Sequence, residues 1–320
     1  MPLRILFAGS PAIAAPALQA VAGMTGEGVE LAGLLTNPDS PRGRSGRPEP
    51  TECASALARI RADAPALKPE KLDADARARV LALKPDLLVS FAYGKIFGPK
   101  FLALFPLGGI NVHPSLLPKH RGATPIPAAI LSRESETGIT IQTLAEQMDS
   151  GDILAQERVA LDGRETTASL GETMALRAAR MLPPLLARVA SGGARGRAQD
   201  AGAATYCSLI AKADGLIDWG MCALEIDARI RAFTPWPLSW TTHRGLELFI
   251  LKARALPDFR SPEPAQPGEV LGKDGDKGIL IQTGHGAIAA SELQYRTKKA
   301  LEWKVFLNGA RNFIGERLGV

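Results

Sequence analysis

The first half of the chain alternates short apolar runs with helical patterns, and this alternation restricts the possible folds more than any other feature. The runs are four to eight residues long and rich in Leu, Ile and Val, which is typical of strands buried on both faces between helices. We therefore predict an α/β fold with an open, mostly parallel sheet and helices on both of its faces. The predicted strands are 3–8, 29–36, 86–92, 109–112 and 138–144, and the predicted helices are 11–23, 73–83, 125–132 and 166–190.

The sequence pattern changes after residue 190. Residues 191–207 are small, Gly-rich and polar, which is typical of a linker, and beyond them short alternating segments are broken by turn dipeptides. That pattern predicts a small antiparallel β-barrel, OB-like, with a terminal helix around 300–313. We predict an α/β domain at 1–190, a linker at 191–207 and a C-terminal β-barrel domain at 208–320. Pro183 and Pro184 should kink or divide the helix at 166–190.

Composition excludes several classes of protein. With 320 residues, 46% of them hydrophobic and 22% charged, the chain is typical of globular domains rather than of disordered or fibrous proteins. No apolar run reaches the roughly 20 residues of a membrane-spanning helix, and the N-terminus lacks a signal-peptide pattern, so we expect a cytoplasmic protein without a membrane partner. The three cysteines have no CxxC spacing and indicate neither a disulfide framework nor a zinc site. GxGxxG and Walker motifs are absent, which argues against NAD and ATP.

The segment 110–125, INVHPSLLPKHRGATP, places polar side chains at the end of a predicted strand, and its three prolines then prevent regular structure. Asn111 and His113 are two apart on an extended strand, so their side chains project from the same face. An amide donor beside an imidazole is suited to stabilising an oxyanion and transferring a proton. The alternative is a core histidine with satisfied hydrogen bonds. A metal site at His113 and His120 is not indicated, because the chain has four His and no HExxH motif or Cys/His cluster.

Three further segments have both a structural and a functional interpretation. Asp149, in QMDSGDIL, either caps a turn or lies at the end of a strand, where α/β enzymes collect polar groups. The segment 230–240, IRAFTPWPLSW, is either a packed corner or a platform on which bases stack. The loop at 37–50 is either an ordinary surface loop or a phosphate-contacting one. Its arginines are Arg42, Arg44 and Arg47.

Four motifs together resemble the methionyl-tRNA formyltransferase family, and the resemblance covers nearly the whole chain. The motifs are INVHPSLLPKHRG at 110–122, MDSGD at 148–152, DGLIDW at 214–219 and IRAFTPWPLSW at 230–240. The resemblance implies a Rossmann-like formyltransferase catalytic domain followed by a tRNA-binding domain. It also implies transfer of a formyl group from 10-formyltetrahydrofolate to the α-amino group of methionine on initiator tRNA, for translation initiation and without a metal.

The resemblance assigns site residues as well. Asn111, His113 and Asp149 match the catalytic residues of the family. The folate co-substrate is expected at Phe91, Tyr93, Ser115, Leu116, Leu117, Pro118, Ala145 and Met148. Initiator methionyl-tRNA is expected at Arg42, Arg44, Arg47, Lys298 and Lys299. A monomeric protein is expected.

Other functions share part of this signature. Formyltransferases that act on amino-sugar nucleotides carry the same Asn-x-His and SLLP motifs, and the arginine loop and DGLIDW argue against them. The formyltransferase that acts on glycinamide ribonucleotide is usually a single domain, so the residues that follow the predicted linker argue against it. A folate hydrolase would release formate without an acceptor. A tRNA-binding module without catalysis would have no use for Asn111, His113 and Asp149.

Overall fold

The structure is a computed structural model that describes residues 1–26, 28–41 and 46–319. These residues divide into two compact units. Unit 1 is formed by described residues of 1–125, 136–160 and 171–207. Unit 2 is formed by those of 126–135, 161–170 and 208 onward.

Unit 1 is built on a large, mostly parallel sheet. Its strands, in chain order, are β1 (Leu3–Ala8), β2 (Val29–Leu35), β3 (Ser40–Pro41), β4 (Pro48–Glu49), β5 (Ala66–Leu67), β6 (Leu87–Phe91), β7 (Gly109–His113), β8 (Arg121–Gly122), β9 (Glu136–Thr143), β10 (Ile153–Ala160) and β11 (Tyr206–Cys207). Seven of them form one sheet in the order β10-β9-β7-β6-β1-β2-β5. All neighbours from β5 to β7 are parallel, and β9 and β10 are added antiparallel at one edge. The predicted Rossmann-like α/β class is confirmed.

The helices of the first 190 residues begin where the sequence supplies caps or prolines. They are α1 (Ala15–Gly23), α2 (Glu52–Ile60), α3 (Ala74–Ala82), α4 (Pro99–Leu102), α5 (Pro125–Leu131) and α6 (Thr167–Ala190). The Thr51 hydroxyl accepts from the Ala54 amide at 3.2 Å, and the Asp73 carboxylate accepts from the Ala76 amide at 3.0 Å, which satisfies donors that a helix start leaves free. Helix α2 was not predicted, because its sequence follows directly on a loop rich in Pro, Gly and Arg.

Helix α6 runs without a break through Pro183 and Pro184, so these prolines do not divide it, and the alternative of a kink stays a prediction. A proline inside a helix costs about 3 kcal/mol or more, since it removes a hydrogen bond and its ring crowds the preceding turn. Leu182, Leu185 and Leu186 are fully buried around the two prolines, and burying a leucine side chain stabilises by about 1.5–3 kcal/mol. The burial of three leucines is therefore large enough to offset the two prolines.

Residues 191–207 are an integral part of unit 1 rather than a flexible linker. The main chains of Ile153 and Arg197 exchange two hydrogen bonds of 2.8 and 2.9 Å. Strand β11 pairs in parallel with β8, placing Tyr206 beside Arg121 and Cys207 beside Gly122. The Gly-rich composition suggested a linker, but these partners hold the main chain of the segment in place.

From residue 208 onward, the described residues of unit 2 form an antiparallel sheet and helices. The strands are β12 (Ser239–His243), β13 (Leu246–Leu256), β14 (Val270–Asp274), β15 (Gly278–Gln282), β16 (Ala287–Tyr295) and β17 (Leu301–Glu302), and the α-helices are α7 (Ala223–Ala232) and α8 (Trp303–Gly309). The sheet order is β12-β13-β16-β15-β14, with β17 added to β16. Ile226 and Ile230 of α7 share a buried cluster with Leu248 and Ile250 of β13. The predicted antiparallel sheet is confirmed, and its closure into a barrel stays a prediction.

None of the described helices combines the length and the apolar character that crossing a membrane requires.

Candidate active site

Three side chains meet at the carboxyl end of β7. Asn111 and His113 lie on this strand, and Asp149 lies in the turn between β9 and β10. The Nδ2 atom of Asn111 donates to Oδ1 of Asp149 at 3.4 Å, and Nδ1 of His113 lies 3.5 Å from Oδ2 of the same carboxylate. Parallel strands end at one edge of a sheet, which is where α/β enzymes place their active sites. The structure thus brings together the three residues that the sequence predicts as catalytic.

Asp149 is held in an unusual backbone conformation. Its φ is 53°, in the left-handed region that residues other than glycine rarely adopt. Its side chain is only 10% exposed, and its oxygens accept from two further donors, Nε2 of Gln142 at 2.9 Å and the main-chain amide of Gly122 at 2.8 Å. These hydrogen bonds fix the orientation of the Asp149 carboxylate, which faces His113.

Two glycines near Asp149 allow close approaches of the main chain. A Cβ atom added to Gly151 would lie 1.8 Å from the main-chain oxygen of Thr143, and one added to Gly122 would lie 2.2 Å from that of Cys207. Gly122 also has a φ of 113°, which other residues rarely adopt. These contacts give a physical reason for the glycines in KHRG and MDSGD.

His113 is buried and carries its proton on a known nitrogen when it is neutral. Its Nε2 atom is 2.8 Å from the main-chain oxygen of His120, and a carbonyl can only accept, so Nε2 is the donor. Nδ1 then presents a lone pair beside the Asp149 carboxylate. Burial lowers the pKa of His113 below that of an exposed histidine, while the charge of Asp149 and the bond to His120 act in the opposite direction. With burial dominant, His113 is a neutral base at neutral pH, and Nδ1 is its proton-accepting atom.

This lowered pKa predicts where His113 titrates. Because burial disfavours the charged imidazolium, we expect the pKa of His113 to lie below about 6.5, the ordinary value for histidine. Replacing Asp149 with asparagine removes the charge that raises this pKa, so His113 should then titrate at still lower pH. NMR titration of the imidazole C–H signals, assigned with a His113→Asn variant, measures both values. A midpoint for His113 above about 6.5, or an upward movement of this midpoint in the Asp149 variant, would contradict this electrostatic description.

The loop of residues 115–118, SLLP, is fixed by strands β9 and β10. The Thr140 hydroxyl donates to the Ser115 main-chain oxygen at 2.7 Å and accepts from the Leu117 amide at 3.2 Å. Nε2 of Gln156 donates to the Leu117 oxygen at 2.9 Å. The Ser115 hydroxyl donates to the Lys119 main-chain oxygen at 2.7 Å, so this side chain stabilises the loop itself.

The predicted folate-binding residues differ in accessibility. Phe91 and Tyr93 are only 1% and 2% exposed, and burial raises the pKa of Tyr93 to about 12. Their side chains belong to the core. Ser115 and Leu117 are also buried, and Leu116 and Pro118 are half-buried. Ala145 and Met148 are exposed on the loop that leads to Asp149.

The predicted tRNA-binding residues lie in two places. Arg42 and Arg44 lie outside the described residues, and Arg47 is exposed next to them. Lys298 and Lys299 are exposed in the turn between β16 and β17. Two cations near that turn are paired with acids: Arg296 with Glu247 at 2.6 Å and Lys304 with Asp276 at 3.1 Å.

Sequence reasoning missed three polar residues of the site. They are Arg121, Gln142 and Gln199, which form a hydrogen-bonded chain that ends on Asp149. Gln142 could have been noticed, because it is a polar residue in the apolar strand GITIQTL and lies directly opposite Asn111 in the β7–β9 pair. Gln199 gives no such signal, since it lies in a stretch of small and polar residues. Within the described ranges, no group of three or more His, Cys, Asp or Glu residues is arranged to hold a metal ion.

Two formyl transferase domain families match most of the chain. The family described as formyl transferase matches residues 3–186, and the formyl transferase C-terminal domain matches residues 209–311. A methionyl-tRNA formyltransferase of Treponema denticola is 46% identical over 320 residues, covering 98% of both chains. The chain belongs to the methionyl-tRNA formyltransferase family. As a member of this family, it is a formyl-transferring enzyme.

Solved structures of other proteins share this fold. An N-formyltransferase of Helicobacter canadensis, solved with folinic acid and dTDP-3-aminofucose, has a TM-score of 0.64 at 18% identity, covering 91% of this chain and 99% of its own. HypX of Aquifex aeolicus, solved with tetrahydrofolic acid, has a TM-score of 0.64 at 16% identity. The match covers 99% of this chain but only 49% of HypX, so the chain spans about half of that protein. At these identities the likeness concerns the fold alone.

Proposed function

We propose that this member of the family transfers the formyl group of 10-formyltetrahydrofolate to the α-amino group of methionyl initiator tRNA, with Asn111, His113 and Asp149 at the reaction centre. The observation that supports this most is the proton-accepting Nδ1 atom of His113, 3.5 Å from the Asp149 carboxylate and beside the Asn111 amide. Similarity over nearly the full length to a methionyl-tRNA formyltransferase supports the same acceptor.

The reaction begins when the neutral methionyl amine attacks the formyl carbon. A C–N bond forms, and the carbonyl electron pair moves to the oxygen, which becomes an oxyanion. The Asn111 amide donates to this oxyanion through a hydrogen that its long bond to Asp149 leaves available. A single donor of this kind is worth about 10²–10³ in kcat.

Proton transfer then completes the exchange. His113 takes the proton of the attacking nitrogen on Nδ1, because Nε2 is already bound to the His120 oxygen. The imidazolium so formed is stabilised by the negative charge of Asp149. His113 passes the proton to N10 of the folate as the carbon–N10 bond breaks and the carbonyl re-forms. A general acid–base residue of this type accelerates a reaction by about 10²–10⁴-fold.

The folate co-substrate is proposed to lie along the loop that precedes Asp149. Ala145 and Met148 are exposed there, and the side chain of Met148, 57% exposed, offers apolar surface to an aromatic ring. The main chain around residues 91–93, at the end of β6, is the second proposed contact. Ser115 and Leu117 are proposed to act by holding the SLLP loop in shape.

The tRNA is proposed to contact the arginine loop that contains Arg47 and, on unit 2, Lys298 and Lys299. Phosphate contacts of this kind set affinity and steer association. The segment 230–240 is mixed in character: Phe233 is buried, Trp240 is half-buried and Trp236 is exposed, so Trp236 offers the most ring surface for stacking on a base. A catalytic role for the first domain, a tRNA-binding role for the second, a cytoplasmic location and a monomeric state belong to the same proposal.

The two lysines provide a test of the tRNA contact. A Lys298→Ala/Lys299→Ala variant should raise KM for tRNA, with kcat nearly unchanged. In a plot of the logarithm of the binding constant against the logarithm of salt concentration, the slope should become shallower by about one for each lost phosphate contact. The control is Lys252→Ala, because Lys252 is an exposed lysine of unit 2 that is paired with Glu292 at 2.7 Å. Equal KM values and equal salt slopes in the two variants would remove these lysines from the tRNA surface.

Single-turnover formylation tests the acceptor. The enzyme is mixed with labelled 10-formyltetrahydrofolate and, in parallel, with methionyl initiator tRNA, a methionyl elongator tRNA or an amino-sugar nucleotide. Fast labelling of the initiator species alone is the expected result. Labelling of the sugar nucleotide, or release of formate with no acceptor present, would overturn the proposed substrate.

A further inference from the structure

We propose that Gln199 is a positioning residue for the reaction: it holds both the main chain and the carboxylate of Asp149 in place from the segment that follows α6. This inference rests on the proposed function, in which Asp149 faces the proton-accepting histidine. Residues 191–207 therefore complete the catalytic site.

The amide nitrogen of Gln199 binds the turn that carries Asp149. Its Nε2 atom donates to the main-chain oxygen of Asp149 at 2.9 Å and to that of Gly151 at 2.7 Å. The backbone of both residues is constrained, that of Asp149 by its left-handed φ and that of Gly151 by its close approach to Thr143. A left-handed aspartate persists only where its surroundings hold it. Gln199 stabilises this conformation of Asp149 through hydrogen bonds from outside the turn.

Gln199 also acts on the carboxylate through a second glutamine. Its Nε2 atom lies 3.0 Å from Oε1 of Gln142, and Nε2 of Gln142 donates to Oδ1 of Asp149 at 2.9 Å. Gln142 is 1% exposed, so its amide has few alternative partners. The two amides therefore fix the direction in which the Asp149 oxygens point towards His113.

Arg121 determines which way the Gln199 amide faces. The guanidinium donates from Nε and Nη2 to Oε1 of Gln199 at 3.1 and 2.7 Å, and from Nη1 to the Tyr206 hydroxyl at 3.3 Å. A guanidinium cannot accept a hydrogen bond, so the Gln199 oxygen must face Arg121 and its NH₂ group must face Asp149. Arg121 is buried, and charge-assisted bonds of this kind are stronger than neutral ones. Arg121 thereby orients Gln199, and Gln199 orients Asp149.

Two substitutions at Gln199 separate positioning from a structural role. Gln199→Met keeps the length of the side chain but removes all its hydrogen bonds. Gln199→Glu keeps the oxygen acceptors for Arg121 but cannot donate to Asp149, Gly151 or Gln142. The matched control is Gln19→Met, an exposed glutamine of α1 in the same unit. Asp149→Asn serves as the reference for loss of the catalytic carboxylate.

The measurements are kcat, KM for both substrates, the pH profile of kcat/KM and the melting temperature. Both Gln199 variants should lower kcat by about 10- to 100-fold, because a small displacement of a catalytic group has effects of this size, with KM nearly unchanged. Gln199→Glu should also move the acid limb of the profile to higher pH, since an added negative charge stabilises protonated groups nearby. Gln19→Met should behave as the wild type.

A wild-type kcat in Gln199→Glu would overturn the inference, because donation to Asp149 would then be dispensable. Since that variant retains the Arg121 acceptor, it decides the question even if Gln199→Met does not fold. Failure of the proposed function looks different: the wild-type protein itself would give no formylmethionyl-tRNA. An active wild type, an inactive Asp149→Asn variant and active Gln199 variants would reject only the role of Gln199.

Discussion

Replacing His113 with alanine should lower kcat by about 10²–10⁴-fold, the range expected for loss of a general acid–base group. The proton of the attacking amine would have no acceptor at Nδ1, and the Asp149 carboxylate would face an empty space instead of an imidazole. The KM for tRNA should stay nearly unchanged, because a buried side chain at the end of β7 offers little surface to a large ligand. Rapid-quench measurement of formylmethionyl-tRNA in a single turnover isolates the chemical step.

The control for this variant is His285→Ala, since His285 is an exposed histidine of unit 2. Added imidazole should partly restore the rate of His113→Ala, because the substitution leaves room for the missing ring. His113→Asn, which can still donate to the His120 oxygen, should remain slow. Turnover within about threefold of the wild type in both His113 variants would remove His113 from the proton-transfer step.

Replacing Asn111 with alanine should lower kcat by about 10²–10³-fold, the usual effect of removing one oxyanion donor. Asn111→Asp should be at least as slow, because a carboxylate cannot donate and adds a second negative charge beside Asp149. The rate of the chemical step is again the quantity to measure, with Asn308→Ala as a control on an exposed asparagine of α8. If Asn111→Asp were faster than Asn111→Ala, the side chain would be an acceptor or a base, and the oxyanion assignment would fail.

The parts of the fold that the sequence predicted well are those decided by local pattern. Strands β1, β2, β6 and β7 are short apolar runs, and all of them lie in the interior of the large sheet, where residues on both faces are buried. Asn111 and His113 were recognisable because side chains two apart on a strand share a face. Asp149 was recognisable through its place after a strand and its family motif.

The parts that were missed depend on contacts between distant segments. Strand β10 has a half-exposed, mixed sequence, ILAQERVA, and it is a strand because it pairs with β9 at the edge of the sheet. Helix α6 is continuous through two prolines because the leucines around them are buried. The rings of Phe91 and Tyr93 are buried in the core, and a folate contact near these residues stays a prediction. Gln199 reaches Asp149 only because the chain returns after α6 to pair β11 with β8.

The pairing of β8 with β11 has a consequence for synthesis of the protein on the ribosome. A nascent chain of 190 residues already contains Asn111, His113 and Asp149, but it has neither Gln199 nor the strand that lies beside Gly122. We therefore expect the site to mature only after residues 199–207 have left the exit tunnel. A fragment that ends at 190 should be a poor starting point for an isolated catalytic domain, and one that ends at 207 a better one.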